Sequence, residues 1–179
     1  MGSLVAKGYA DALFELGLED DKLVSFKEQG TFIKETLSDD LMRILTHPKI
    51  SKIEKKNILD TIYKQSIDNT LLNTMKVMID KNRFVFYKET MNEFEKNFNK
   101  HYQITVAYVN SAVECSDEEK KRIQAMLEKK LGQQVECRWF IDQSLLAGLR
   151  IKINDQVLDN SAVNRLNRLK EQVVNTALK

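Results

Sequence analysis

The chain has 179 residues, 42% apolar and 30% charged, a composition that fits a water-soluble protein able to bury a sizeable core as one large domain or two small ones. Its 28 basic and 26 acidic residues leave a net charge of +2, too weak a field to argue for nucleic acid from the total, and no apolar run approaches the ~18 residues of a membrane span. Two cysteines, Cys115 and Cys137, in a chain with no recognisable secretory signal point to reduced, structural thiols and not to a disulfide framework.

The first hundred residues read as helix, since Pro48 is the single proline and six glycines are spread through the whole chain. The first helix poses a packing question. Stepping about 100° per residue from Val5 places Ala12, Val5, Leu16, Tyr9, Leu13, Ala6, Ala10 and Phe14 in one arc of roughly 200°, twice the stripe that a surface helix needs to cover a core. Leu23, Phe26, Ile33 and Leu37 then mark a second helix, and a short third carries Leu41, Ile44 and Leu45 up to His47-Pro48. Ser51 and Glu54 have the spacing of a capping box and start a fourth, with Ile53, Ile58, Leu59 and Ile62. Its lysines, Lys52, Lys55 and Lys56, with Lys49 just before, fall mostly on the polar side. The fifth helix carries Ile67, Leu71, Leu72, Met75, Met78 and Ile79 in one stripe, and an aromatic sixth carries Phe84, Tyr87, Met91, Phe94 and Phe98.

After His101 the period changes to alternation. Ile104, Val106 and Tyr108 oppose Thr105 and Ala107 in a strand. A second capping box, Ser116 with Glu119, opens a helix through Ile123 and Leu127 to Leu131, where Gly132 stops it. Val135, Cys137 and Trp139 alternate next, then Leu149, Ile151 and Ile153, ending in the turn pair Asn154-Asp155 before Val157-Leu158. A last helix begins at Asp159 to Ser161 and carries Val163, Leu166, Leu169, Val173 and Ala177 on one face. The expected architecture is therefore α+β, an N-terminal six-helix bundle over 1–103 followed by a small βαββα domain over 104–179.

Catalysis needs a convergent set of side chains, and none is visible. His47 and His101 are the only imidazoles and neither has a second ligand at helical spacing, so no metal is expected. No glycine-rich loop precedes Lys-Ser or Lys-Thr, which leaves nucleotide cofactors unsupported. An RNA-binding module of the KH type would need a GXXG loop, where this chain has LGQQVE. The basic helix from Ser51 leaves nucleic-acid binding as the alternative reading, against the plainer one of a solvated face.

Several segments, in order, resemble the δ subunit family of bacterial F-type ATP synthase, whose mitochondrial relative is the oligomycin-sensitivity-conferring protein. They are YADALFEL from Tyr9, LTHPKISKIEKKNIL from Leu45, LLNTMKVMIDKNRF from Leu71, NSAVECSDEEKKRI from Asn110 and IDQSLLAGLRIKINDQVLDNSAVNRLNRLKE from Ile141. The final block carries a family pattern of IGG, a short strand and DGS before a helix, here LAG ending at Gly148 and DNS from Asp159 to Ser161. Ala147 and Asn160 replace its glycines, the second mildly, because Asn tolerates left-handed backbone.

The resemblance implies a non-catalytic stator protein without cofactor. It would be a monomer when isolated, peripheral on the cytoplasmic face of the bacterial cell membrane, and would link the catalytic head to the membrane-anchored b subunits and resist rotor torque during proton-driven ATP synthesis. It further implies a groove between the first and fifth helices for the N-terminal helix of an α subunit, and a C-terminal domain joined to the C-termini of the b subunits. Carried over by position, the groove residues are Tyr9, Ala12, Leu13, Leu16, Met75, Met78 and Ile79. A partner helix would then take up the surplus apolar arc of the first helix.

Overall fold

The computed structural model describes residues 2–166. The fold is α+β, and its backbone divides into two compact units, the first ending at Phe98 and the second starting at Asn99. That division lies within a helix and a few residues ahead of the change of period at Ile104.

The first unit holds α1 (Gly2–Glu19), α2 (Leu23–Thr36), α3 (Asp39–Thr46), α4 (Lys52–Tyr63), α5 (Asn69–Asp80), a 3-10 turn at Phe84–Phe86 and most of α6 (Tyr87–His101). Helix starts follow their capping chemistry. At α4 the Ser51 hydroxyl accepts from Glu54 N, and the Glu54 carboxylate accepts from Ser51 N at 3.0 Å. Those bonds hold the Glu54 carboxyl below its ordinary value. At α5 the Asp68 carboxylate accepts from Thr70 N at 2.8 Å and from the Lys22 ammonium at 2.9 Å. The Lys22 bond, then the Thr70 bond, lowers the Asp68 carboxyl, and the same pair raises Lys22.

Two helix ends of this unit use the left-handed closure. Asp21 after α1 and Asn82 after α5 have φ of 53° and 54°. Lys22 N reaches back to Gly17 O at 2.8 Å, and Arg83 N to Met78 O at 2.7 Å.

The core of this unit gathers Phe26 and Ile33 of α2, Leu59 and Tyr63 of α4, the α5 stripe and the α6 aromatics. Two expectations for α4 are corrected. Its isoleucines do not form the inner face, because Ile53 is 73% exposed and Ile62 is also exposed. The buried line is Lys55, Leu59 and Tyr63 at i, i+4, i+8. Lys55 therefore does not sit on the polar side: its four-carbon stem covers apolar surface in the way long cationic side chains do.

The second unit follows as β1 (Ile104–Ser111), α7 (Asp117–Leu131), β2 (Gln134–Ile141), a 3-10 turn at Gln143–Leu145, β3 (Leu149–Ile153) and β4 (Gln156–Asp159). The sheet order is β2-β1-β3-β4. β1 and β2 are parallel, Ile104 opposite Gln134, and α7 is the crossover that a parallel pair requires. β3 pairs antiparallel to β1 and to β4. The expected three-stranded βαββα order thus lacks a strand: Val157-Leu158 after the Asn154 turn is a short edge strand, four residues long, too short for alternation to announce it.

Ala107, Val109, Val135, Ile151 and Ile153 form the covered face of the sheet, packed with Leu127 of α7. Gly132 ends α7 with φ 66°. The closing helix begins as helical backbone at residues 162–166; Leu169, Val173 and Ala177 lie outside the described residues.

Candidate partner-binding surfaces

The wide arc of α1 is divided in two. Ala6, Ala10, Leu13 and Gly17 are buried, and they occupy its centre. On one flank the Phe14 ring lies 6.3 Å from Phe94, and Asn97 donates to the Asp11 carboxylate at 2.7 Å, which fastens α1 to α6. On the other flank Val5 and Tyr9 are half-buried while Ala12 and Leu16 are more open, Leu16 at 45% exposure. This second flank borders two hollows. One, of about 440 Å³, is lined by Leu4, Val5, Gly8, Tyr9, Ala12 and Arg83. The next, of about 470 Å³, is lined by Tyr9, Ala12, Leu13 and Leu16 from α1 and by Thr70, Asn73, Thr74 and Val77 from α5. Because Tyr9 and Ala12 line both, the hollows are consecutive stretches of one groove along α1.

Of the seven expected groove residues the structure brings Tyr9, Ala12, Leu13 and Leu16 to this groove, with Leu13 as its floor at 1% exposure. Met75, Met78 and Ile79 are corrected to core positions: their exposure is 0–2%, and none lines either hollow. The reason is angular. Leu71, Leu72, Met75, Met78 and Ile79 fill an arc of about 120° on α5, which its own unit consumes, whereas Thr70, Asn73, Thr74 and Val77 occupy the adjacent arc of about 100°. The α5 wall is consequently neutral and polar, apart from Val77. These wall residues carried a signal, a run of short polar side chains on one side of an otherwise apolar helix.

In the second unit a hollow of about 610 Å³ is lined chiefly by apolar side chains of the loop after β1, of α7 and of the segment leading into β3, among them Val113, Ile123, Met126, Leu146 and Leu149, together with Cys115, Glu119 and Arg122. Val113, Met126 and Leu146 are well exposed there. Leu146 also holds φ 61° and ψ −46°, a conformation that costs a side-chain-bearing residue of order 1–3 kcal/mol. In the final block positive φ falls on Leu146, Gly148 and Asn154, and Asn160 is absent from the positive-φ residues.

Gly148, Asp159 and Ser161 come together beside this hollow. Gly148 has φ 86°, and a Cβ there would stand 2.5 Å from Asn160 O. Asp159 Oδ1 accepts from Ser161 N at 2.9 Å, Asp159 Oδ2 accepts from Arg150 Nε at 2.9 Å, and Ser161 Oγ accepts from Asn164 N at 3.2 Å. The Ser161 bonds first, then Arg150, lower the Asp159 carboxyl to about 2. A carboxylate depressed in the folded state adds stability in full above its unfolded value near 4, and that stability is lost as pH falls through about 2. Asp159→Asn is therefore expected to lower second-unit stability at neutral pH and to flatten its acid dependence between pH 4 and pH 2, read by the fluorescence of Trp139 on β2 across an acid titration. A variant with the parent's acid profile would refute the assignment.

The basic run offers no free cationic stripe. The Lys52 ammonium donates to Asp80 O at 2.7 Å, Lys56 pairs with the Asp80 carboxylate at 2.6 Å, and Lys55 is buried. Two of the lysines expected to meet a nucleic acid, Lys52 and Lys56, instead tie α4 to the end of α5. His47 Nδ1 accepts from Lys49 N at 3.2 Å inside the turn. Burial pushes the Cys137 thiol up, away from the reactive thiolate.

Comparison with known proteins agrees over nearly the whole length. Residues 5–173 match the family described as ATP synthase delta (OSCP) subunit. The chain is 34% identical over 176 residues to the ATP synthase subunit delta of Lachnoclostridium phytofermentans and 31% identical over 175 residues to that of Alkaliphilus oremlandii, with 97% of each chain covered in both cases. A chain in the cryo-EM structure of the Toxoplasma gondii mitochondrial ATP synthase hexamer shares the fold, with a TM-score of 0.73, 20% identity, and coverage of 94% of this chain and 97% of that one.

Proposed function

The chain belongs to the ATP synthase delta (OSCP) subunit family, and from that premise we propose that its two units clasp the two ends of the stalk, the helical one holding the catalytic head and the α/β one the membrane-anchored arm. The protein is a structural, non-catalytic peripheral-stalk subunit of F-type ATP synthase. Among its described residues no helix is long and apolar enough to cross a membrane, and its place in the complex is peripheral.

In this reading the six-helix bundle receives the N-terminal helix of an α subunit in the groove along α1. The observation that carries it is the outward apolar flank Val5, Tyr9, Ala12 and Leu16, left uncovered beside a hollow that runs along the helix. A helix seated there buries the flank in the helix-in-groove manner. The hollow of the second unit takes the C-termini of the b subunits, supported by exposed Val113, Met126 and the strained, outward Leu146. Strain at an exposed apolar residue is tolerable where a bound neighbour uses it. In this reading the protein works on the cytoplasmic face of a bacterial cell membrane.

The mechanism is mechanical. Torque loads both joints, so what matters is slow release, and desolvated apolar anchors give slow release better than rim charges. The test is reconstitution: adding the full chain, with the rest of the catalytic head, to membranes stripped of their peripheral subunits is expected to restore coupling of ATP hydrolysis to proton pumping. Hydrolysis that remains uncoupled with the chain bound stoichiometrically would refute the reading.

A further inference from the structure

We propose that Arg83 is a specificity determinant of the α1 groove, selecting an occupant helix that carries a carboxylate beside its apolar stripe. The proposal rests on the groove reading above and names what the groove demands of its partner. Among the described residues, Arg83 is the one charged side chain lining either hollow.

Its position is fixed by backbone. Asn82 adopts the left-handed conformation, Asn82 N donates to Ile79 O at 3.0 Å and Arg83 N to Met78 O at 2.7 Å, closing α5 and setting Arg83 at the mouth of the groove with Leu4, Val5 and Gly8. Several other cations of the unit are paired, Lys22 with Asp68, Lys34 with Glu95 and Lys56 with Asp80. The guanidinium of Arg83 makes no hydrogen bond or ion pair among the described residues. A Cβ added at Gly8 would meet nothing within 4 Å, so at this end a helix backbone can approach α1 closely.

An apolar helix laid into the groove strips water from the guanidinium. Without a partner group that desolvation opposes binding; a carboxylate accepts two parallel N–H bonds and removes the penalty. Arg83 therefore favours acidic over neutral or basic helices and adds salt dependence to an otherwise apolar interaction.

The experiment titrates the full chain calorimetrically with a peptide spanning the N-terminal helix of the cognate α subunit at two salt concentrations, alongside the same peptide with each acidic residue changed in turn to Lys. Arg83→Gln is expected to raise Kd about two- to fivefold and to flatten the salt dependence. Arg83→Glu should raise Kd further and regain affinity with one of the Lys peptides. Thermal melts should match the parent, because Arg83 is exposed. If Arg83→Glu keeps the parent's Kd and salt slope while Ala12→Arg abolishes binding, the groove stands and the role of Arg83 falls. Should Ala12→Arg also leave binding intact, the groove itself is misplaced and Arg83 goes with it.

Discussion

Ala12→Arg is expected to cut the affinity for the N-terminal helix of an α subunit by about thirtyfold or more, with the melting temperature of the chain unchanged. The size follows from position: Ala12 lines both stretches of the groove, and a central contact displaced by a bulky cation belongs with the losses of about 2 kcal/mol at interface hot spots. Folding is spared because Ala12 faces outward. Its neighbour makes the contrast. Leu13 has 1% exposure, so Leu13→Ala should cost about 2–5 kcal/mol of stability, and any loss of binding there is confounded with unfolding. Calorimetric titration with the peptide beside thermal melts separates the two residues. Tight binding by a folded Ala12→Arg chain would place the partner elsewhere.

How much of this is legible in the residues differs by element. The capping chemistry at Ser51 and Ser116, the α5 stripe and the α6 aromatics follow from local spacing, and local rules decide them. The surplus arc of α1 is legible too, because a helix apolar over roughly 200° exceeds what one core contact absorbs. Its partner wall is not. The resemblance, carried over by position, nominates Met75, Met78 and Ile79, yet a groove beside a filled core is walled by whatever stands next to the stripe, here Thr70, Asn73, Thr74 and Val77. Lys55 misleads for a related reason: a lysine counts as polar by its head and packs by its stem. In the final block side-chain tolerance makes Asn160 a mild replacement for glycine, yet the positive φ falls on Leu146, Gly148 and Asn154, with the strain on Leu146.

Gly148→Val is expected to destabilise the second unit by about 3 kcal/mol or more, since two independent penalties meet at this site. A φ of 86° is costly for any residue with a side chain. The added carbon also meets backbone, Asn160 O at 2.5 Å and Ser161 Cα at 3.2 Å, and that backbone cannot step aside cheaply. Asn160 N donates to Leu149 O and Ala162 N to Ala147 O, both at 2.9 Å, so relief requires breaking the bonds that hold the start of the closing helix against β3. Leu146→Gly, two residues earlier, should behave in the opposite sense. It relieves a positive φ at a side chain that is 69% exposed, leaving stability equal or about 1 kcal/mol higher, while removing an apolar wall from the hollow proposed for the b subunit. Denaturant unfolding followed by Trp139 fluorescence, with capture of a peptide from the C-terminus of the b subunit measured on the same samples, reads both effects. A Gly148→Val chain as stable as its parent would break the link between this glycine and the folded second unit, and a Leu146→Gly chain that captures the peptide undiminished would move the b subunit off this hollow.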